Sequence, residues 1–329
     1  MVQSAVILGV GSSNHQSQIA YGRPRAMLPV LGKPLILRVI ELFYRAGIRH
    51  YIVVVGEDEG SVASYLNARL PDAQIEFAFQ SSSVSLTQTL STIAQQLGQA
   101  FIIANYNTFV HPHFPERLLK HPSDWKDSLI LSGTPLTLSS ASSRYIGVTD
   151  GQRVIRIEQK SPSGQYNTTH LANLALCGGE FIEHLSSLTS DTRIFTSQFL
   201  DIVSLYLETG KPVFLAESAW TLPVETDHDL LMLNRFFLND LQDCHILSEM
   251  PNNVQIIPPV RIDPLVSIGQ GATIGPRVYL EAGCSIGQYA TVSDALVLQN
   301  AIVPARQRVA DAIISSRTGK SRRSSTSAF

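Results

Sequence analysis

Two apolar rows run in step through the last third of this sequence and restrict what the chain can fold into more than any other feature. Every sixth residue from 262 is aliphatic: Ile262, Ile268, Ile274, Leu280, Ile286, Val292 and Leu298. The row two places earlier is Val260, Val266, Ala272, Val278, Cys284, Ala290 and Leu296. A period of six fits neither an α-helix nor a simple strand. It fits a chain that winds around a prism with one hexad per side, the hexapeptide signature of a parallel β-helix. We expect that domain at residues 254–305, a little over two coils, with Gly269, Gly275 and Gly287 turning its corners through unusual φ. The stretch after 298, LQNAIVPARQRVADAIISS, reads as too irregular to continue the coils and apolar enough to be a cap or contact surface. A stack this short exposes unpaired strand edges, which predicts an oligomer.

The preceding residues, 1–243, alternate strands and helices. AVILGV (5–10) and YIVVVG (51–56) are short β-branched runs, and PLILRVIELFYRAG (34–47) between them has helical spacing and ends on Gly47. QIEFAF (74–79), LTQTLSTIAQQLG (86–98), AFIIAN (100–105) and SLILSGTPL (128–136) continue the alternation. The fold class is therefore α/β: a Rossmann-like, mostly parallel sheet with flanking helices, followed by the β-helix. YIGVTDGQRVIRIEQK (145–160) reads as a hairpin on Asp150-Gly151, and LLMLNRFFLND (230–240) as a closing helix. In such sheets ligands sit beyond the carboxyl ends of the strands.

Charge and cysteine usage exclude several classes. The net charge of −2 offers no electrostatic footprint for nucleic acid, and the one basic cluster, RTGKSRR (317–323), lies in a Ser-rich tail, 317–329, expected to be disordered. Cys177, Cys244 and Cys284 have no CxxC spacing, so a thiolate metal cluster or a disulfide framework is not expected; buried thiols in a reducing cytoplasm are. No apolar run approaches the roughly 18 residues of a membrane span, and the N-terminus lacks a signal-peptide pattern.

The segment VILGVGSSNHQSQIAYGRPRAMLPVLGKPLI (6–36) reads as a strand, a small polar loop and a recovery into apolar sequence, the form of many phosphate cradles, yet it has no positive charge before Arg23. Its spacing matches, without a gap, the opening of the sugar-phosphate nucleotidylyltransferases, LAAGxGTRLxPLTxxRPKPLLPVxGKPLI. YIGVTDGQRVIRIEQKSPSG with LANLALCGGEFIEHL resembles that family's product-strand segment, and WTLPVETDHDLLMLNRFFL its closing segment. The resemblance extends to about residue 305 and implies a left-handed β-helix after the catalytic domain. It also implies binding of a nucleotide sugar or sugar phosphate, and Mg2+ held by carboxylates if the protein is active.

The resemblance carries residue by residue. Leu8, Gly9, Gly11, Ser13, His15 and Arg23 fall on the phosphate loop, where the family's second glycine has become Ser13 and its arginine His15. The RPK lysine has become Arg25. The metal aspartate after the central strand has become Asn107, behind Tyr106, and the second metal aspartate falls on Pro223, with Glu225 and Asp227 nearby. Gln80 and Ser85 (with Leu86 and Thr87) occupy the nucleotide-side loop, while Gly147, Gln159, Lys160 and Asn173 occupy the sugar side. Three readings follow: a catalytically impaired, regulatory binder of a nucleotide sugar, alone or with a catalytic paralogue; a working nucleotidylyltransferase with an altered metal site; or a scaffold, or an acyltransferase using the hexapeptide domain, which needs a coil-borne histidine that residues 254–316 lack.

Overall fold

The computed structural model describes residues 2–10, 19, 23–56, 60–81, 83–122, 125, 127–135, 145–159, 167–188, 198–241 and 244–316. Gly11, Ser13, His15, Lys160 and the tail 317–329 lie outside the described residues. The chain forms two compact units: residues 1–15, 24–27 and 35–224, and residues 16–23, 28–34 and 225–329.

The first unit is built on strands that are buried on both faces. β1 (Ser4–Leu8), β2 (His50–Gly56) and β4 (Phe101–Asn105) are apolar runs, and β3 (Gln74–Gln80) lies at the edge. Between them run the helices α1 (Leu35–Arg45), α2 (Gly60–Arg69) and α3 (Leu86–Leu97). β3, β2, β1 and β4 pair in parallel, as the crossover helices require. A short β5 (Thr108–Val110) and the helix α4 (Phe114–Leu119) follow β4. The other half of the sheet is β6 (Leu129–Pro135), β7 (Ile146–Asp150), β8 (Arg153–Glu158), β9 (Asn167–Cys177) and β10 (Val213–Glu217), with α5 (Gly179–Ser187) and α6 (Phe199–Glu208) around it. The nine strands are ordered β3-β2-β1-β4-β9-β6-β10-β8-β7.

The sheet is more mixed than expected. β9 is antiparallel to both β4 and β6, and β8 is antiparallel to β7 and β10. A central strand is apolar in either direction, so its composition does not disclose its polarity. The β7–β8 hairpin turns on Gly151 at φ +57°, as the Asp-Gly pair predicts. Val6, Leu8, Val54, Leu90, Phe101, Leu131, Phe181, Phe199 and Tyr206 form one core between the sheet and α3, α5 and α6. Cys177 is enclosed in it, and burial raises its thiol pKa well above the usual range.

The second unit joins residues 28–34, α7 (Asp227–Leu241) and the β-helix. Val260 stacks on Val278, Ser267 on Ser285 and Thr273 on Thr291, a coil of 18 residues. The next coil is one residue shorter: Leu280 stacks on Val297, Ser285 on Ile302 and Thr291 on Arg308. The strict six-step rows therefore slip after residue 292. The core takes Ala295, Val297, Ala301, Val303 and Val309, not Leu296 and Leu298. The slip escapes a reading by hydropathy because the residues on both sides of it are apolar.

That shortened coil also corrects the expected boundaries. Ala312 and Ile314 stack on Ala295 and Val297, so the segment after 298 continues the prism, and Cys244–Ile246 pairs with Val260–Ile262 before residue 254. Left-handed φ values form corner columns at Leu265, Gly283 and Asn300; at Gly271, Tyr289 and Arg306; and at Arg277, Asp294 and Asp311. Gly269 and Gly287 are not among these positions. Their Cβ atoms would collide with backbone atoms of Gln288 and Ala305 in the next coil, so close stacking explains them instead.

A buried polar chain ties residues 28–34 to the coils. The Gly32 amide donates to Tyr279 Oη (2.9 Å), Tyr279 donates to Asp263 (2.7 Å), and Arg261 pairs with the same carboxylate (2.8 Å). Asn234 of α7 accepts from Leu31 N (3.2 Å) and donates to Pro29 O (3.2 Å). Tyr279 is fully buried. Replacing Tyr279 with Phe leaves both the Gly32 donor and an Asp263 lone pair unmatched, so we expect a loss of about 1–3 kcal/mol in urea denaturation. An unchanged midpoint would show that the chain of bonds adds nothing.

Candidate functional site

Because β3, β2, β1 and β4 run in parallel, Gln80, Gly56, Leu8 and Asn105 end at one edge of the sheet. Leu8 is in register with both Val54 and Asn105. Gly9 donates to Val54 O (2.7 Å), and a Cβ at Gly9 would lie 2.7 Å from that oxygen, so the close backbone approach demands glycine. Tyr106 N donates to Leu8 O (3.0 Å), one further rung of the parallel β1–β4 ladder; the Tyr106 side chain is buried. On the nucleotide side, Ser85 serves as the N-cap of α3. Its hydroxyl accepts from Gln88 N and its amide donates to Gln88 Oε1, a reciprocal capping box. The hydroxyl expected to face a nucleotide thus also caps the helix, with its own proton left to donate.

Asn107 and residue 223 do come together, as the resemblance requires of a metal site. β11 (Thr221–Pro223) pairs with β5 so that Pro223 opposes Thr108. One step on, Val224 N donates to Asn107 O (2.9 Å) and Asn107 Nδ2 donates to Val224 O (3.0 Å). A carbonyl oxygen can only accept, so the side-chain atom facing it must be the NH2 group. An aspartate could not make this bond when ionised.

These residues do not fit Mg2+. The divalent ion asks for anionic oxygens, and the two positions offer one neutral amide oxygen and a proline. Among the described residues no group of three or more His, Cys, Asp or Glu side chains could hold a metal. Asp229 is occupied locally, accepting from the amides of Glu225 (3.1 Å) and Thr226 (2.8 Å) at the start of α7. Glu225 and Asp227 belong to the second unit with it.

The sugar-side positions sit on β7 and β9. Gly147 lies in register with Ile157 and Thr169, and a Cβ there would press on Leu171 at 3.0 Å. Asn173 falls where β9 shifts register against β6 between Ala172 and Ala175, an irregularity of the kind that re-aims a side chain. Leu174 opposes Ala104, so one antiparallel step places Asn173 beside Asn105. Gln159 is exposed just past β8. Arg25 begins a short 3-10 turn and is partly buried. Arg23 is placed otherwise than a phosphate-loop cation: its guanidinium pairs with Glu281 (2.9 Å) and donates to Gln299 (3.0 Å) within the second unit.

Several buried oxygens at this edge have no hydrogen-bond partner: Gln80 Oε1, Thr87 Oγ1, Asn105 Oδ1, Asn107 Oδ1 and Asn173 Oδ1. Native interiors leave few such atoms, and an ordered water or a ligand group can complete their bonding. Asn105 was not singled out in the sequence. The signal was there: two amides, spaced by two, close an apolar strand in FIIANYN.

The fold defines an α/β protein whose parallel strands end together at one edge of a central sheet, with a parallel β-helix in its second unit. Residues 4–220 match the Nucleotidyl transferase family, and the chain belongs to it. Residues 256–324 match the GMPPB C-terminal domain. The "Bifunctional protein GlmU" of Methanococcus vannielii is 22% identical, across 95% of this chain and 78% of its own length. A "Bifunctional sugar-1-phosphate nucleotidylyltransferase/acetyltransferase" of Sulfurisphaera tokodaii is also 22% identical, across 94% and 79%. Among solved structures, UDP-glucose pyrophosphorylase complexed with UDP-glucose superposes with a TM-score of 0.59 at 14% identity, covering 73% of this chain and 100% of that one. The inositol-1-phosphate CTP transferase of T. maritima gives 0.57 at 12%, over 69% and 91%. These structural likenesses establish the fold.

Proposed function

We propose that this protein binds a nucleotide sugar or sugar phosphate at the carboxyl edge of its sheet, does not carry out nucleotidyl transfer, and acts as a regulatory member of its family, in a homo-oligomer or beside a catalytic paralogue. The observation that carries the reading is the pair of hydrogen bonds between Asn107 and Val224. Attack on the α-phosphorus of a triphosphate depends on a cation to gather and neutralise charge, and here the ligand position serves as a donor to the backbone. The relatives' names supply the ligand class. A second reading, a working sugar-1-phosphate nucleotidylyltransferase, is favoured by relatives that match almost the whole chain. An acetyl transfer like that named for those relatives would call for a histidine on the coils; residues 254–316 contain none, and the first rung, Cys244–Ile246, carries one, His245.

Calorimetry against a panel of nucleotide sugars separates these readings when run beside pyrophosphate release. Binding in the micromolar range, about −8 kcal/mol, is expected without turnover. Asn173→Ala should weaken it by about 0.5–1.5 kcal/mol, the usual worth of one neutral hydrogen bond. Absence of binding by every member of the panel would overturn the proposal, and pyrophosphate release at enzymatic rates would establish the second reading.

A further inference from the structure

We infer that the free edge of β3 is an interface through which two copies of this chain join their sheets, antiparallel and centred on Phe77. The interface lies within the first unit and is independent of what the ligand edge binds. In that unit β9, β6, β10, β8 and β7 close on one another, because β7 pairs with both β8 and β9. Closure removes edges. Among the described residues the nine-stranded sheet therefore ends freely at β3, which pairs with β2 on one side alone.

The strand itself carries little that would keep a second sheet away. Gln74–Gln80 runs in unbroken register with His50–Gly56, and QIEFAFQ contains no Pro, Lys or Arg. Phe79 is 64% exposed. The single charged residue, Glu76, is held along its own sheet by His50 (2.9 Å), Gln74 (3.0 Å) and Gln96 (2.9 Å). The β7–β8 hairpin differs: its register shifts between Val154 and Arg156, and it carries Arg153, Arg156 and Glu158.

The direction of the backbone groups selects the partner. Gln74 N donates to Arg49 O (2.8 Å), just before β2, and successive residues of a strand turn their N–H and C=O to opposite sides. Ile75, Phe77 and Phe79 therefore turn theirs away from β2, where no described backbone group meets them. A second copy with Phe77 opposite Phe77 sets Ile75 opposite Phe79, so each outward residue meets an outward residue in a ladder of about six bonds. The same register places Gln74 opposite Gln80 and Glu76 opposite Ala78, so like charges do not oppose. A two-fold axis at Phe77 makes the contact self-complementary and closed. The strand thus matches its own copy in bonding, in apolar pairing and in charge.

The test measures the full-length protein by light scattering from about 1 to 100 micromolar, beside NMR-detected hydrogen exchange over the same range. The mass is expected to be an even multiple of the chain, and the amides of Ile75, Phe77 and Phe79 to be protected, less so on dilution. Phe79→Lys sets a charge against Ile75 of the second copy and should raise the dissociation constant by about tenfold or more, halving the mass at the dilute end. Ile155→Lys adds the same charge at another exposed apolar position of the unit and should leave the mass unchanged. A mass that Phe79→Lys does not lower, or that Ile155→Lys lowers equally, would overturn the inference. Free exchange of the three amides would do the same, and their protection in a monomer would give the edge to another segment of the chain and overturn it too. If Phe79→Lys does not fold, dilution and exchange of the unmodified protein decide.

Discussion

Offered any nucleoside triphosphate with any sugar 1-phosphate and Mg2+, this protein is expected to release pyrophosphate at least about a thousandfold more slowly than the usual enzymatic range of roughly 1–1,000 per second. The figure follows from removing a divalent cation, worth several kcal/mol of transition-state charge stabilisation. The sharper expectation concerns Asn107→Asp, which resemblance alone would nominate to restore activity. In this structure the substitution turns a donor to Val224 O into an acceptor facing an acceptor. We expect a loss of about 1–3 kcal/mol in denaturant unfolding at neutral pH. Repulsion and burial raise the folded-state pKa of the new carboxyl above its unfolded value near 4. A raised carboxyl pKa penalises the ionised form, so the deficit should shrink as pH falls through the raised folded value toward about 4 and change no further below it, where a protonated oxygen can donate to Val224 O. Turnover in the ordinary range by the unmodified protein would refute the first expectation. An Asp variant as stable as the parent at neutral pH would refute the second.

Part of this was legible in the residues. The alternation of VIL, YIVVV and FIIAN with helical spacing fixed the parallel half of the sheet, because strands covered on both faces are continuous apolar runs and crossover helices are not. Polarity was not legible for NTTHLANLALC, since reversal changes no burial. The β-helix was legible for as long as its period stayed at six. The missing residue near Asp294 could not be counted, because Ala295, Leu296, Val297 and Leu298 are all apolar and either register fills the prism.

At the site, sequence spacing brought position 107 to position 223 correctly, a consequence of the β5–β11 pairing. What it could not convey was what an asparagine does there. An amide is both donor and acceptor, and only the location of Val224 O shows which end is used. Arg23 gives the opposite lesson: an arginine in a loop next to a phosphate cradle has the right charge, but its partner is 258 positions further along the chain. Ser85 lies on the loop that the resemblance gives to the nucleotide, and its Ser-x-x-Gln spacing also marks it as the cap of the helix it begins.

The largest effect on folding is expected at Gly275. It adopts φ +113°, a region that residues with a Cβ rarely enter, and an added Cβ would lie inside the van der Waals envelope of Ile257 O and 3.0 Å from Val260 Cγ2. Its amide donates to Val292 O (2.8 Å), while Ile257 N donates to Ile274 O (2.8 Å), so this corner is stitched to the coils on either side. Gly275→Ala must therefore either strain the backbone or separate the coils. Backbone strain of about 1–3 kcal/mol and overpacking of about 1–3 kcal/mol combine to about 2–6 kcal/mol, a large share of the 5–15 kcal/mol typical of a whole domain. Gly47 is the control: its φ is +98°, but nothing lies within 4 Å of an added Cβ, so Gly47→Ala carries the backbone cost without the collision. Two units need not unfold together, so the measurement should be local, by hydrogen exchange of the coil amides. Protection at Ile257, Gly275 and their neighbours is expected to fall in Gly275→Ala and to persist in Gly47→Ala. Equal protection in both variants would mean that the coils tolerate a side chain at this corner, which the contact between Gly275 and Ile257 O forbids.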